Sequence, residues 1–252
     1  MSDATAAIIV AAGRGTRLRP LTDNCPKCML RLTRETILER MLKCLTLYRV
    51  QPIVVVAGYM ADKVQTCVSA LRNTSEADLK VVINKDYHQT EATYSIYLAM
   101  QRMKVLKSVV IVDGDLVVDK CLVGEILRTK GSSALVDLSR APTDEDAKVK
   151  LSEGRITDVG KHIRKNDADG VWVGMAKLTG ALLRRFSEQV SRKDLWKDWW
   201  SEPLRCVVPQ EPLQMVETGD KFWIEVDTLQ DLTIARNYCK KEEQASGNGI
   251  LS

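Results

Sequence analysis

The sequence lacks the long apolar run that a membrane-spanning helix requires. None of its hydrophobic stretches approaches the roughly 18 to 20 residues that cross a bilayer. Its first residues, Met-Ser-Asp-Ala-Thr, do not combine a basic segment with an apolar one, as a secretion signal would. We therefore expect a cytoplasmic protein that is not bound to a membrane.

Cysteine and histidine are present without the spacing of a disulfide framework or a zinc site. Seven cysteines are scattered over 252 residues, and the chain has only two histidines. Cys25 and Cys28 form a Cys-x-x-Cys pair, but no second pair or histidine lies at the spacing of a zinc site. Reduced thiols are expected, and a metal or redox role for this pair is disfavoured.

A large excess of charge of one sign is also absent. The 37 Lys and Arg residues nearly balance the 33 Asp and Glu residues, which leaves a net charge of +4. The basic residues are spread too evenly for a nucleic-acid-binding surface. We predict no nucleic-acid partner, while a local site for a small anion stays open.

In the N-terminal half, predicted strands alternate with predicted helices. Residues 6–12 form a continuous apolar run that ends at Gly13, which is typical of a strand buried on both faces. Further strands are predicted at residues 52–57, 79–83 and 108–112, with helices at 36–49, 61–71 and 93–103. This alternation indicates a parallel sheet that binds ligands at the carboxyl ends of its strands.

The C-terminal half has a different pattern of shorter strands. Strands are predicted at residues 133–138, 148–151, 155–159 and 171–175, with Glu153-Gly154 as a hairpin turn, and helices at 179–190, 194–200 and from after Asp227 to about residue 241. We predict a single α/β domain over residues 1–252, with a mainly parallel central sheet and a mixed C-terminal half.

The loop after the first strand combines glycines with basic side chains. Residues 13–22 are Gly-Arg-Gly-Thr-Arg-Leu-Arg-Pro-Leu-Thr, and Pro26-Lys27 follows. Glycines let backbone amides approach phosphate oxygens, while Arg17 and Lys27 supply positive charge for a triphosphate. The spacing fits neither Gly-x-Gly-x-x-Gly nor a Walker loop, which disfavours both of those sites.

Two acidic motifs lie at places where ligands are expected. Asp113-Gly-Asp115 ends a buried apolar strand, and Glu225-Val-Asp227 precedes the last predicted helix. Carboxylates close to a triphosphate are the hard oxygen ligands that Mg2+ prefers. A plain acidic turn, or capping of the last helix by Asp227 or Thr228, would account for the same residues.

Taken together, these motifs resemble the signature of the sugar-nucleotide and phosphocholine nucleotidyltransferases, Gly-x-Gly-x-Arg, Pro-x-Thr and Pro-Lys. The resemblance covers about residues 6–240 and implies a Rossmann-like nucleotidyltransferase fold with Mg2+ as cofactor. It implies that the catalytic residues are Arg17, Lys27, Asp115 and Asp227, and that the last two hold the metal. Asp113 would support them.

Residues 84–95 are similar to a stretch of the bacterial phosphocholine cytidylyltransferases that lies beside the nucleotide. Tyr87, Tyr94 and Ser95 keep their places, whereas Glu91 and Ala92 replace two asparagines. Capping of the next helix is the alternative use of the hydroxyls in this segment. The predicted nucleotide-binding residues are Ala11, Ala12, Gly13, Gly15, Thr16, Arg17, Tyr87, Thr90, Ser95 and Asp113. CTP is the favoured triphosphate.

All five tryptophans lie in the C-terminal half, several of them next to carboxylates. Aromatic faces and carboxylates suit a cationic headgroup, although packing in the core would explain each single tryptophan equally well. The predicted acceptor-binding residues are Trp172, Asp194, Trp196, Asp198, Trp200, Trp223 and Glu225.

We therefore predict a Mg2+-dependent cytidylyltransferase that transfers CMP from CTP to an amine-bearing phosphate or phosphonate, such as phosphocholine or 2-aminoethylphosphonate, and releases pyrophosphate. One alternative is a sugar-1-phosphate nucleotidyltransferase, which shares these motifs. The other is a non-catalytic nucleotide-binding regulator, which would not need Lys27, Asp115 and Asp227 together. The choice between a monomer and a homodimer is left open.

Overall fold

A computed structural model describes residues 5–103 and 107–248 of the chain. Its strands are β1 (Ala6–Ala11), β2 (Ile53–Ala57), β3 (Leu79–Ile83), β4 (Ser108–Asp113), β5 (Leu116–Val118), β6 (Ser133–Asp137), β7 (Lys148–Ser152), β8 (Arg155–Gly160), β9 (Gly170–Thr179), β10 (Leu213–Glu217) and β11 (Trp223–Glu225). Its helices are α1 (Ile37–Leu47), α2 (Ala61–Thr74), α3 (Ala92–Met100), α4 (Lys120–Arg128), α5 (Gly180–Val190), α6 (Ser201–Arg205) and α7 (Leu229–Asn248).

Strand β1 lies inside a parallel block formed by the first four strands. It pairs in parallel with β2 and β4, and β2 pairs in parallel with β3. Alternate side chains of β1 enter two separate cores. Ile8 packs on the same side of the sheet as Ile96 of α3, whereas Ile9 packs with Leu38 of α1. Burial on both faces explains why this strand is apolar at every position, and the predicted parallel arrangement is confirmed.

The C-terminal half continues the same sheet with mixed strand directions. The nine strands have the order β3-β2-β1-β4-β9-β6-β10-β8-β7, and β9 runs antiparallel to both β4 and β6. Strands β7 and β8 form the predicted hairpin, in which Glu153 and Gly154 have positive φ angles of 50° and 72°. Positive φ at both central residues is the geometry of a tight hairpin turn. The α/β class with a mixed C-terminal half is confirmed.

The helix predicted at residues 194–200 is wrong. The segment contains only a 3-10 turn at Lys193–Leu195, and α6 begins at Ser201. The carbonyl of Trp196 accepts a hydrogen bond from the amide of Glu91, and that of Asp198 accepts from the amide and hydroxyl of Thr93. These carbonyls satisfy donors at the start of α3, so they are not used within a helix of their own.

Five elements were not predicted, namely β5, α4, α6, β10 and β11. Strands β5 and β11 have three residues each and pair only with each other, antiparallel, so no local periodicity marks them. The last helix also extends to Asn248 rather than ending near residue 241. Residues 242–248 are therefore helical, and Gly249 lies outside the described residues.

All seven cysteines are free thiols. None of the helices in the described part of the chain is both long and apolar enough to cross a bilayer.

Candidate active site

The glycine-rich loop after β1 is folded tightly against Lys27. Gly15 has a φ angle of 63°, and a Cβ at this position would lie 2.8 Å from the Cβ of Lys27. The hydroxyl of Thr22 donates a hydrogen bond of 2.8 Å to the carbonyl oxygen of Gly15, which closes the loop. A side chain at position 15 would therefore both strain the backbone and push Lys27 away.

The turn Asp113-Gly-Asp115 leaves β4 beside β1. The Gly114 amide donates a 2.9 Å hydrogen bond to the carbonyl oxygen of Val10, and a Cβ on Gly114 would lie 2.5 Å from that oxygen. Only glycine allows this approach. It places both aspartates at the carboxyl end of the parallel strands, where α/β sheets bind ligands.

A two-stranded ribbon brings the second acidic motif to the first. Leu116 of β5 pairs with Glu225 of β11, and the Val226 amide donates to the carbonyl oxygen of Asp115 at 3.1 Å. Thr228 and Asp231 cap the last helix, because the side chain of each accepts a hydrogen bond from the backbone amide of the other. Asp227 therefore projects into the site instead of capping the helix.

The Lys27 ammonium joins these two motifs. Its Nζ donates to Asp227 Oδ1 at 2.8 Å and forms an ion pair with Asp115. Arg17 Nη2 lies 2.9 Å from the same Asp227 oxygen. Burial alone would lower the pKa of Lys27, but Asp115 and Asp227 more than offset it and raise that pKa. Lys27 is thus a fixed positive charge in the site.

Asp227 is held as an anion, whereas the deeper acids are not. Burial opposes ionisation of Asp227, but Lys27 and Arg17 lower its pKa below the ordinary value. Burial and the neighbouring Asp115 raise the pKa of Asp113 to about 8, although the Trp200 indole donates a 2.8 Å hydrogen bond to Asp113 Oδ1. Burial and the same acidic neighbours raise the pKa of Glu225. Ionisation is therefore favoured at Asp227 and disfavoured at the two deeper acids, Asp113 and Glu225.

A cleft of about 330 Å³ opens in front of these groups and is called the first cleft. All ten predicted nucleotide-binding residues line it, as do Lys27, Asp115 and Asp227. The sequence-based set did not include Arg14, Cys28, Glu91, Ala92 or Trp199, which also line it. The carboxylate of Glu91 is a hydrogen-bond acceptor where the phosphocholine cytidylyltransferase pattern has an amide.

A buried asparagine organises the far wall of the first cleft. Asn84 is 1% exposed, and its side-chain amide donates to the hydroxyl oxygens of Thr90 and Ser95, both at 3.1 Å. The Thr90 hydroxyl in turn donates a 2.8 Å hydrogen bond to the carbonyl oxygen of Asp86. The Ser95 hydroxyl, which lines the cleft, is thereby oriented with its proton free to donate to a ligand.

A second cleft of about 100 Å³ adjoins the first and shares Arg17, Asp113, Asp115, Trp199 and Asp227 with it. Of the predicted acceptor-binding residues, Trp172, Trp200 and Glu225 line this second cleft. The two tryptophan rings pack edge to face, with centroids 4.2 Å apart, and form its floor. Both are nearly fully buried, so they shape the cleft more than they expose aromatic surface.

The other four predicted acceptor residues line neither cleft. Trp196 packs on Tyr94 and Tyr97 of α3, with ring centroids 4.5 and 5.2 Å away. Trp223 donates to Asp137 Oδ2 at 2.8 Å and lies under Arg140. Asp194 is exposed and pairs with Arg192, while Asp198 bonds to Thr93 through its backbone. The sequence suggested these four residues because tryptophans and carboxylates are close together along the chain, but the fold places them in different environments.

The residues that sequence reasoning missed lie around Trp199. This ring is 47% exposed, lines both clefts, and carries the Lys161 ammonium 5.0 Å from its centroid. Glu145, Asp146 and Lys161 complete the outer wall of the second cleft. An exposed tryptophan next to buried ones was the available signal. The loop that carries Glu145 had no motif to identify it.

The donor set at the junction of the clefts fits a hard divalent cation only in part. Among the described residues, no group of three or more His, Cys, Asp or Glu side chains is arranged to hold a metal ion. Asp115 and Asp227 nevertheless converge on one point, the Lys27 ammonium. Mg2+ commonly uses one or two carboxylates and takes its remaining ligands from water and substrate phosphates. These two residues could therefore hold it together with a triphosphate.

The chain is similar to several known proteins. A family model described as "Domain of unknown function (DUF6564)" matches residues 24–153. The chain is 30% identical over 249 residues to the bifunctional IPC transferase and DIPP synthase of Aquifex aeolicus, a match that covers 98% of this chain and 54% of that protein. The chain thus spans about half the length of this relative.

Two further proteins match along nearly their whole length. The CTP:phosphoglutamine cytidylyltransferase of Campylobacter jejuni is 24% identical over 90% of this chain and 98% of its own. The structure of the CTP:phosphocholine cytidylyltransferase from Streptococcus pneumoniae superposes with a TM-score of 0.75 at 17% identity, over 94% of this chain and 99% of that one. The structural match establishes a shared fold.

Proposed function

The chain belongs to the family described as a domain of unknown function (DUF6564) and to the nucleotidyltransferase enzymes, and from this premise we propose its reaction. The reaction is the transfer of CMP from CTP to a small phosphate or phosphonate that carries an amine. The observation that carries this proposal is the convergence of Lys27, Asp115 and Asp227 where the two clefts meet.

The first cleft suits the triphosphate. The loop at residues 13–16 supplies backbone amides without a bulky side chain at Gly13 or Gly15, and Arg17 faces the outer phosphates. Lys27 neutralises the α-phosphate, for which it exchanges one of its two carboxylate partners. Asp115 and Asp227 would hold Mg2+, which supplies charge neutralisation for the phosphate oxygens when it is bound.

The chemical step needs no general base. An anionic oxygen of the acceptor phosphate or phosphonate attacks the α-phosphorus of CTP, a new O–P bond forms, and the bond to the β-phosphate oxygen breaks. Pyrophosphate leaves with the bonding electrons, and no proton is transferred. The work of the protein is therefore to position two anions and neutralise their charge, which Lys27 and Arg17 can do.

The second cleft suits a cationic group on the acceptor. Six acidic side chains line it, from Asp113, Asp115, Glu145, Asp146, Glu225 and Asp227, against two basic ones, Arg17 and Lys161. Burial raises the pKa of Asp113 and Glu225, so these two are the weakest sources of negative charge. An ammonium group of the chain itself, Lys161 Nζ, already lies on the Trp199 ring. A trimethylammonium group would use that aromatic face, and a primary ammonium would use the carboxylates.

Cytosine is the favoured base because acceptor groups line the wall beside Ser95. The 4-amino group of cytosine donates hydrogen bonds, whereas the 4-oxo group of uracil or thymine only accepts them. The carboxylate of Glu91 can accept from an amino group and would repel an oxo group. This argument complements the CTP use stated in the names of two of the proteins similar to this chain.

The test is pyrophosphate release by the purified protein in Mg2+ buffer. The four common nucleoside triphosphates are crossed with choline phosphate, 2-aminoethylphosphonate and glucose 1-phosphate. We expect release with CTP and an amine-bearing acceptor. Efficient turnover of glucose 1-phosphate with neither amine accepted would favour the sugar-1-phosphate alternative. If nucleotide binds but pyrophosphate is released with none of the acceptors, the non-catalytic regulator would be favoured.

A further inference from the structure

Residues 138–147, which connect β6 to β7, form the outer wall of the second cleft and are called the acceptor loop. Glu145, Asp146 and Ala147 of this loop line the cleft. The loop has no helix or strand of its own, yet several bonds fix it. Asp146 accepts hydrogen bonds from the Thr143 amide and hydroxyl, both at 2.7 Å, and from Arg140 at 2.6 Å.

A buried lysine at the end of the loop holds it from beneath. Lys148 is only 1% exposed, and its Nζ donates to the carbonyl oxygens of Asp146, Thr143 and Asp144 at 2.7, 3.2 and 3.4 Å. An ammonium has three N–H donors, so all of them are used on the loop backbone. Among the described residues Lys148 has no carboxylate partner.

Burying the Lys148 ammonium costs free energy, which the hydrogen bonds to the loop carbonyls must offset. Removing an ammonium from water is expensive, and carbonyl oxygens compensate only when their geometry is good. The backbone of Lys148 is fixed, because this residue is the first of β7 and pairs with Gly160 and Val171 in the sheet. The Lys148 side chain therefore anchors the loop to the rigid sheet.

The acceptor loop is also tied to the floor of the cleft and to β11. The carbonyl oxygen of Ala147 accepts a 2.9 Å hydrogen bond from the Trp172 amide. The Arg140 guanidinium, which binds Asp146, lies 4.9 Å from the centre of the Trp223 ring in β11. Strand β11 leads directly to Asp227. The loop thus has a fixed position relative to both the tryptophan floor and the acidic pair.

Within this wall, Glu145 is the carboxylate available to a ligand. Asp115 and Asp227 pair with Lys27, Asp113 accepts from Trp200, and Asp146 is engaged by Arg140. Glu145 is exposed and forms no ion pair or hydrogen bond with other residues in the described part of the chain.

We propose that the acceptor loop determines acceptor specificity, that Glu145 is the countercharge for the acceptor's amine, and that Lys148 is the positioning residue that holds the loop in place. This inference rests on the proposed function, because it concerns the same second cleft. It predicts an effect confined to the acceptor: the loop lines only the second cleft, so CTP binding in the first cleft should be spared.

The chain provides a matched control in a second buried lysine. Lys177 is 5% exposed, and its Nζ donates to the carbonyl oxygens of Leu127 and Thr129 at the end of α4. It lines neither cleft. Replacing Lys177 with methionine removes an ammonium from a similar setting, so it reports what the loss of a buried lysine does to the fold alone.

The experiment compares Lys148→Met, Lys177→Met and Glu145→Gln with the unmodified protein. The KM for CTP, the KM for the better of choline phosphate and 2-aminoethylphosphonate, kcat and the melting temperature are measured for each. We expect Lys148→Met to raise the acceptor KM by about tenfold or more, since three carbonyls lose their donor, and to leave the KM for CTP unchanged. Glu145→Gln should raise the acceptor KM without lowering the melting temperature, and Lys177→Met should lower the melting temperature only.

Equal increases of both KM values in Lys148→Met, or an unchanged acceptor KM in that variant, would overturn the inference. If Lys148→Met does not fold, Glu145→Gln decides, and an unchanged acceptor KM there has the same meaning. These results differ from a failure of the proposed function, in which the unmodified protein releases no pyrophosphate with either amine and the inference falls with it.

Discussion

At the scale of single residues, Lys27 has two roles that can be distinguished by their effects on kcat and KM. It neutralises Asp115 and Asp227 in the structure, and in the proposed reaction its charge is needed most when the α-phosphorus becomes crowded with negative oxygens. Arg17 is more exposed, and in the proposed reaction it binds the outer phosphates, whose charge is already high before the α-phosphorus is attacked.

We therefore expect Lys27→Met to lower kcat by about a hundredfold or more, with a smaller change in the KM for CTP. Arg17→Ala should lower kcat and also raise the KM for CTP. Arg19→Ala is the control, because Arg19 pairs with Asp23 at the surface and lines neither cleft. Steady-state kinetics with varied CTP decide the matter. A change confined to KM in Lys27→Met would remove Lys27 from the chemical step.

The two outer carboxylates should be indispensable but not structural. Asp115→Asn and Asp227→Asn keep the side-chain shape and remove one negative charge each, and we expect turnover to fall by about a hundredfold or more at saturating Mg2+. The melting temperature should change little, because both side chains are partly exposed. Asp78→Asn, at an exposed pair with Lys80, is the matched control. Near-normal pyrophosphate release by either variant would show that the metal assignment is mistaken.

At the scale of elements, the site is assembled by β5 and β11, two of the three strands that the sequence did not reveal. The glycine-rich loop, Lys27 and the acidic motifs were predictable because each follows a strand or precedes a helix with a clear pattern. A three-residue strand has no such pattern, and its partner lies more than a hundred residues away. The convergence of Asp115 and Asp227 followed from the family resemblance and not from local signals.

At residues 194–200 the local sequence pattern predicted a helix, but tertiary hydrogen bonds favour a different structure. Its backbone carbonyls serve the first turn of α3, so its tryptophans are distributed to three environments instead of one helix face. Trp200 enters the core, Trp196 covers α3, and Trp199 remains at the surface between the clefts. Tertiary hydrogen bonds of this kind cannot be inferred from the spacing of residues.

This distribution predicts opposite phenotypes for two neighbouring tryptophans. Trp196→Ala should lower the free energy of unfolding by about 3 kcal/mol, because its ring packs on Tyr94 and Tyr97, and should leave the acceptor KM unchanged. Trp199→Ala should leave stability nearly unchanged and raise the acceptor KM roughly three- to tenfold, the size of a cation–π contact. Urea unfolding and acceptor titrations measure both. The reverse pattern would restore Trp196 to the acceptor site and remove Trp199 from it.

At the scale of the whole molecule, the site lies where the parallel half of the sheet meets the mixed half. The parallel half provides the loop after β1, the turn after β4 and the start of α3, which line the first cleft. The mixed half provides the acceptor loop, the floor tryptophans and Lys161, which line the second cleft. In the proposed reaction, nucleotide and acceptor meet where these two halves of the sheet join.

That arrangement explains why the fold by itself does not identify the acceptor. Proteins similar to this chain are named for phosphoglutamine and for phosphocholine. Function is carried by side chains in the second cleft and not by the sheet that supports them. Under the proposed function those side chains are Trp199, Glu145 and Lys161, and none of them belongs to the motifs that identify the nucleotide half.

The central claim is that the α-phosphate of CTP is transferred to an amine-bearing acceptor. It is tested most directly with CTP labelled at the α-phosphate, incubated with the purified protein, Mg2+ and choline phosphate or 2-aminoethylphosphonate. The account predicts that the label appears in a new compound containing both CMP and the acceptor, that unlabelled pyrophosphate is formed in equal amount, and that Asp227→Asn forms neither. Label that remains in CTP, or that appears as free CMP whether or not the acceptor is present, would contradict it.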